Sequence, residues 1–407
     1  MNEMTLLLGL LVISYFGNAL IVPGQAAAIN LPSGAHFILL GFLLGPHALG
    51  VVPSDAAASF MPLAIVAISW LALVLGTNYG FAGNRRLTPR AFVLGFVVAL
   101  LSASVIGGLT YLAARYLALM SVRDAQLLGL GIGLSGSETT RQSVRWALDR
   151  GVSPGPLLRL LEELAGTDEI VPLLGLAWLF ALSLPAAQQA TLSQGVWSLL
   201  TLGLGIVFGV LSALLVAGVS AVQEGWIVIF GAALLGTGIA FGLSLSPLTA
   251  LFVMGMSLSL TSRHAPELRP FLTRTAPGVL LPALLLVGAL LRVPAHAQTL
   301  FVLLAAVLAR IVLRVLIGRV LARTAKAEPE RRTPFGLALC CTGSANVIVS
   351  LSFALRFPGP VGDLVLSTAV ATGVAGDLLG TWGLRHAFVA RGPAGSPTNT
   401  GLAVNPS

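Results

Sequence analysis

The chain has 407 residues, 56% of them hydrophobic and only 9% charged, with a mean hydropathy of +0.93. A water-soluble domain carries roughly a quarter charged residues, so an ordinary soluble enzyme or a nucleic-acid-binding domain is excluded. The net charge of +8 is read as loop arginines that set membrane topology.

Apolar runs of about 20 residues, the length that crosses a bilayer, recur from end to end. They predict an all-α polytopic membrane protein with about 13 transmembrane helices, at approximately 4–23, 34–53, 57–76, 91–116, 126–149, 157–184, 195–219, 226–243, 246–262, 276–293, 298–323, 334–355 and 362–388. Residues 1–388 form one membrane domain. Residues 389–407, rich in Gly, Pro, Ser, Thr and Asn, form a disordered C-terminal tail. The first run has no basic leader or cleavage signal and is read as a retained helix.

Basic residues cluster after alternate segments. Arg85, Arg86 and Arg90 follow the third, and Arg145, Arg150 and Arg159 flank the loop after the fifth. Arg263, Arg269 and Arg274 follow the ninth; Arg323, Lys326, Arg331 and Arg332 the eleventh; Arg385 and Arg391 the thirteenth. The opposite side carries Arg115, Arg123, Arg292 and Arg356 singly. The positive side is cytoplasmic, which puts the N-terminus outside and the C-terminus in the cytoplasm. The second segment (Pro32, Ala35, Phe37, Leu43) and the ninth (Pro247, Ala250, Phe252, Leu258) share one spacing. An offset of seven helices would relate two inverted repeats, as in many secondary transporters.

Charges within a bilayer core are costly and point to function. The sixth segment holds Glu162, Glu163, Asp168 and Glu169 within eight residues. Capping at a wet surface is the bland reading, but some fifteen mainly apolar residues follow Asp168 and Glu169. The fifth segment contains Ser135-Gly136-Ser137-Glu138-Thr139, and the twelfth Cys340-Cys341-Thr342-Gly343-Ser344-Ala345-Asn346. Both runs suit helices that unwind mid-membrane to line an ion path, although small residues also serve close helix packing. Arg310 and Arg314 lie one turn apart in the eleventh segment, and Arg310 is too deep to reach the interface easily. It needs a partner, and the sixth segment offers carboxylates. Asp377 is either buried or interfacial. Adjacent Cys340 and Cys341 argue against a disulfide framework. No resident metal site, cofactor motif or nucleophile motif accompanies the carboxylates.

The stretches Leu31-Pro32 through Gly41-Phe42-Leu43-Leu44-Gly45-Pro46-His47-Ala48-Leu49-Gly50, and Gly242-Leu243-Ser244-Leu245-Ser246-Pro247 through Ser262, resemble the monovalent cation–proton antiporter superfamily. The resemblance spans about residues 4–388 and is to the membrane domain of bacterial sodium/proton antiporters. It implies a core domain with two broken, crossing helices, a dimerisation domain, and an ion-binding Asp beside the crossing. Segments five and twelve look like the crossing pair, with Ser135, Thr139, Thr342, Ser344 and Asn346 at the crossover.

In one branch of the family a Glu precedes Asn-Asp in the sixth helix and pairs with an Arg in the eleventh. Glu163, Thr167 and Asp168 match that register, with Arg310 as the partner. In the other branch the pair is Asp-Asp, which would be Asp168-Glu169. Both put Asp168 in the site. The fifth-helix pattern Ser-x-Thr-Asp-Pro becomes Ser135 to Thr139 without the Pro, and the twelfth helix lacks the family's Arg-Gly.

The expected function is therefore exchange of a monovalent cation (Na⁺ or Li⁺, or K⁺) for protons, which compete for Asp168. Thr167, Ser137 and Glu138 would add oxygen ligands, and Glu169, about 100° round the helix, is a second titrating candidate. Glu163–Arg310 is the expected structural ion pair. The expected setting is a homodimer in a bacterial inner membrane. A different solute or a channel on the same fold, or a membrane-embedded enzyme, are the rival readings.

Overall fold

The computed structural model describes residues 35–53, 59–79, 89–139, 142–149, 155–184, 191–218, 222–292 and 296–388, with Thr5, Gly9, Val12 and Asp55 singly. Apart from Thr5, Gly9 and Val12 the first expected segment lies outside the described residues, as do the tail 389–407, Pro32, Arg85, Arg86, Arg150 and Arg391, and the side chain of Arg145.

All the regular structure among the described residues is helical. The helices are α1 Ala35–Leu44, α2 Met61–Gly76, α3 Pro89–Tyr116, α4 Val122–Ser135, α5 Gln142–Asp149, α6 Pro156–Ala165, α7 Ile170–Leu182 and α8 Gln194–Ala217. They continue with α9 Val222–Gly242, α10 Pro247–Thr261, α11 Ala265–Leu290, α12 Ala297–Thr324, α13 Pro329–Ala338, α14 Ser344–Arg356 and α15 Pro360–Phe388. A 3₁₀ turn, Thr77–Tyr79, extends α2. Taking α6 and α7 together, eight helical spans among the described residues are long and apolar enough to cross a membrane.

Most predicted segments hold, with physical reasons for the differences. The second ends at Leu44 rather than near residue 53, because Gly45-Pro46 turns the chain and Gly50 takes φ +66°, a conformation that favours glycine. The tenth starts at Ala265, well before residue 276, so Arg269 and Arg274 are helical rather than in a loop. The sixth was expected to be continuous. It is interrupted between Ala165 and Ile170, since Gly166 is a poor helix former and Pro172 has no N–H for the Asp168 carbonyl four residues back.

The helices pack as two bundles. One joins α1, α2 and α8–α11; the other joins α3–α7 with α12–α15. Small residues set their closest approaches. A Cβ on Gly107 would lie 2.7 Å from the Gly129 carbonyl, and one on Gly318 would lie 2.3 Å from the Gly336 Cα. The two bundles meet chiefly along α7, against α8 and α10, where the Thr249 hydroxyl donates to the Leu173 carbonyl at 2.6 Å.

Candidate functional site

Three interrupted helices meet inside the second bundle. The described parts of the breaks run from Gly136 to Thr139, from Gly166 to Glu169, and from Leu339 to Gly343. The expected break in segments five and twelve is thus present, and segment six adds a third. A broken helix exposes unpaired carbonyls at one end and unpaired N–H groups at the other. In a membrane both sets need partners from the protein.

Two arginines on α12 supply the donors. Arg310 Nε donates to the Gly136 carbonyl at 2.9 Å, Nη2 to the Glu138 carbonyl at 3.0 Å, and Nη1 to the Cys340 carbonyl at 2.9 Å. One guanidinium therefore ties the carbonyl ends of α4 and α13 together, and its positive charge suits the negative ends of both helix dipoles. Arg314, one turn on, donates from Nη1 to the Thr139 hydroxyl oxygen at 2.9 Å and from Nη2 to the Ser137 carbonyl. Both side chains are 1% exposed.

Glu138 supplies the complementary acceptor. Its Oε1 accepts from the backbone N–H groups of Gly343 at 2.8 Å and Asn346 at 2.9 Å. A carboxylate contributed by one break thus caps the positive N-terminus of α14 at the other. Local sequence explains the shape: Gly343 stands at the N-cap in extended conformation, and Asn346 Nδ2 anchors the first turn to the Ala369 carbonyl at 3.0 Å.

Asp168 lies beside this crossing, 0% exposed. Neither of its carboxylate oxygens has a hydrogen-bond partner, and the same is true of Glu138 Oε2, Thr342 Oγ1 and Asn346 Oδ1. Arg314, Glu138 and Glu169 carry the charges that act on Asp168, and the Thr139 hydroxyl lies beside it. The crossing therefore holds several buried oxygen atoms, and the Asp168 carboxylate among them has one arginine acting on its charge. Oxygen donors of this kind suit hard cations. Among the described residues no three His, Cys, Asp or Glu side chains converge as a metal centre.

Several sequence expectations are revised. Arg310 does not pair with Glu163; it spends its donors on the three break carbonyls. Glu163 is half-buried on α6, and its carbonyl accepts from Thr167. The Thr167 hydroxyl lies between the carbonyls of Glu163 and Ala91, so it faces α3 rather than the Asp168 carboxylate. Ser135 and Ser137 donate back to Ile132 and Leu134 within their own turn. Glu169 turns toward the other bundle, where the Tyr79 hydroxyl donates to its Oε2 at 3.3 Å. Ser344 opens α14 and is half-buried. Asp377 is buried in α15. Sequence reading noticed Arg314 only as a neighbour of Arg310 and missed Tyr79. The i, i+4 spacing of the two arginines was the available signal for Arg314; Tyr79 had none, because its contact is between bundles.

Comparison with known proteins places this geometry. The family described as "Sodium/hydrogen exchanger, transmembrane" matches residues 16–381. The chain belongs to the sodium/hydrogen exchanger family. It is accordingly an integral membrane secondary transporter that exchanges cations for protons, and not an enzyme. No curated protein sequence matches it. Among solved structures, the sodium proton antiporter MjNhaP1 from Methanocaldococcus jannaschii at pH 8 aligns with a TM-score of 0.64 at 15% identity, covering 95% of this chain and 100% of that one. An electron-microscopy map of the same antiporter gives the same TM-score and identity and covers 98% of its chain. At that identity the likeness is one of fold, and this exchanger shares the all-helical antiporter architecture.

Proposed function

We propose that this exchanger carries a monovalent cation and protons alternately on Asp168. The observation that carries the reading is a fully buried carboxylate, at a helix break beside the crossing, with neither oxygen hydrogen-bonded. Such a group is costly to keep ionised in a membrane unless something balances it. A cation coordinated by it, or a proton bound to it, provides that balance. The two states exclude one another, so competition at one group couples the flows.

Arg314 shares the balancing role when Asp168 is ionised and no cation is bound. Glu138 Oε2, Thr342 Oγ1 and Asn346 Oδ1 are the next oxygen ligands. Thr167 and Ser137 are set aside as side-chain ligands, because their hydroxyls are used by local carbonyls. Na⁺ and Li⁺ fit an all-oxygen site. K⁺ fits the same chemistry with longer contacts.

Alternating access moves the α3–α7 and α12–α15 bundle against the α1, α2 and α8–α11 bundle. The second of these is the dimerisation domain of the proposed homodimer. The ends carrying Arg319, Arg323, Arg331, Arg332 and Arg385 face the cytoplasm by the positive-inside rule, in a bacterial inner membrane.

The test is proton flux in proteoliposomes pulsed with Na⁺, Li⁺ and K⁺, comparing the native chain with Asp168→Asn. Cation-driven flux abolished by the substitution supports the proposal. Flux that survives moves the carrier to Glu138 or Glu169.

A further inference from the structure

An exposed face of the second bundle carries a groove of about 990 Å³ between α3, α4 and α7. Its size is at the upper end of small-molecule sites, and its lining is mostly apolar. The groove is deep because its floor is glycine. Gly107 and Gly129 bring α3 and α4 into backbone contact, and Gly175 on α7 closes on the Leu134 side chain. Along α3 the lining runs from Phe96 to Tyr111, about 22 Å at 1.5 Å per residue. One leaflet of the hydrocarbon core is about 15 Å deep, so the groove holds a chain inserted from one membrane surface over its full depth.

The end near Tyr111 is polar and basic. Gln126 and Tyr111 line the groove there. Arg115 stands four residues beyond Tyr111 on α3, and Arg123 three residues before Gln126 at the start of α4, so each continues the stripe that faces the groove. Arg123 is exposed, and Arg115 is half-buried with Nη1 held by the Met120 carbonyl at 3.2 Å. The neighbouring acid, Asp124, is bound to Ser121, whose hydroxyl donates to its Oδ2 at 2.8 Å. Trp178, half exposed one turn from the same end of α7, is where interfacial aromatics anchor. An apolar slot of leaflet depth crowned by two arginines matches one occupant by charge and by length.

We propose that this groove is a binding site for an anionic phospholipid, with an acyl chain between α3, α4 and α7 and its phosphate at Arg115 and Arg123. Asp168, Glu138 and the two arginines of the crossing are not in its lining, and the proposal does not depend on how the ion is carried. Gly108 supplies the test. It lines the groove, and a Cβ there meets nothing within 4 Å. Gly108→Leu therefore fills the slot from within a helix whose propensity it improves.

The experiment is native mass spectrometry of the full chain in detergent with added phosphatidylglycerol or phosphatidylcholine. The native chain is expected to retain phosphatidylglycerol preferentially. Arg115→Gln and Arg123→Gln should each weaken that retention about fivefold, the effect of roughly one basic residue at a membrane surface, and Gly108→Leu should abolish retention of both lipids. Each variant should keep the native melting temperature. Equal retention of the two lipids by the native chain, or unchanged retention in Gly108→Leu, overturns the proposal. A loss of dimer mass in Gly108→Leu with lipid retention unaltered also overturns it, by assigning the groove to a second copy of the chain.

Discussion

Replacing Arg310 by alanine should be the most damaging single change in the second bundle. Its guanidinium joins two helix breaks through the carbonyls of Gly136, Glu138 and Cys340. Each buried carbonyl left unpaired costs about 1–3 kcal/mol. Relief of the desolvated charge offsets part of this, leaving a net loss of about 3–5 kcal/mol, as for other broken buried charge networks. That is a large share of a typical stability of about 5–15 kcal/mol and, for a chain of this length, corresponds to a fall in melting temperature of about 4–6 °C.

Arg310→Lys keeps the charge but not the planar fork. One ammonium cannot bridge both breaks, so about 1–3 kcal/mol should still be lost. Glu163→Gln is the control: with no pairing to Arg310, it should stay within about 1 kcal/mol of the native chain. Thermal unfolding in one detergent, with exchange measured alongside, checks all three. The reasoning fails if Glu163→Gln costs as much as Arg310→Ala, which would restore the ion pair that the sequence suggested. It also fails if Arg310→Lys is indistinguishable from the native chain.

Other outcomes follow from the same geometry. Glu138→Ala strips the acceptor from the Gly343 and Asn346 N–H groups and should lower stability by about 1–2 kcal/mol, whereas Glu138→Gln, which keeps an oxygen there, should recover about half of it in the same melting assay. Competition at a carboxylate means that the cation binds only the deprotonated form. The apparent KM for cation should therefore rise as pH falls, approaching about tenfold per unit on the acid side, in flux measurements across a pH series. A KM flat with pH would separate the proton and cation sites. Gly318→Val presses on the Gly336 backbone and should destabilise by about 1–3 kcal/mol, the usual cost of overpacking; no drop in melting temperature would mean that α12 and α13 separate easily.

The sequence by itself determined the all-helical membrane class, the order of the described segments, and the neighbourhood of the site. Apolar run length is set by bilayer thickness, so α2, α3, α8 and α12 fall near their expected bounds. Charges in apolar runs are too costly to be incidental, which singled out Glu138, Asp168 and Arg310 before any fold was known. The resemblance of Gly41 to Gly50 and of Gly242 to Ser262 to an antiporter family agrees with the family match over residues 16–381.

Only the tertiary structure decided who pairs with whom. Spacing along one helix says which face a residue takes, but Arg310 meets Gly136 and Cys340 across 174 and 30 residues of chain. Those contacts depend on where two other helices break. The third break was partly written in Gly166 and Pro172, yet residues this close in type sit unbroken in other helices, since packing supplies the missing partners. The orientations of Thr167 toward Ala91 and of Glu169 toward Tyr79 likewise follow from neighbours brought in by the fold. A one-dimensional pattern locates the charges. Their partners are fixed by the three-dimensional need to satisfy every buried polar group with little water at hand.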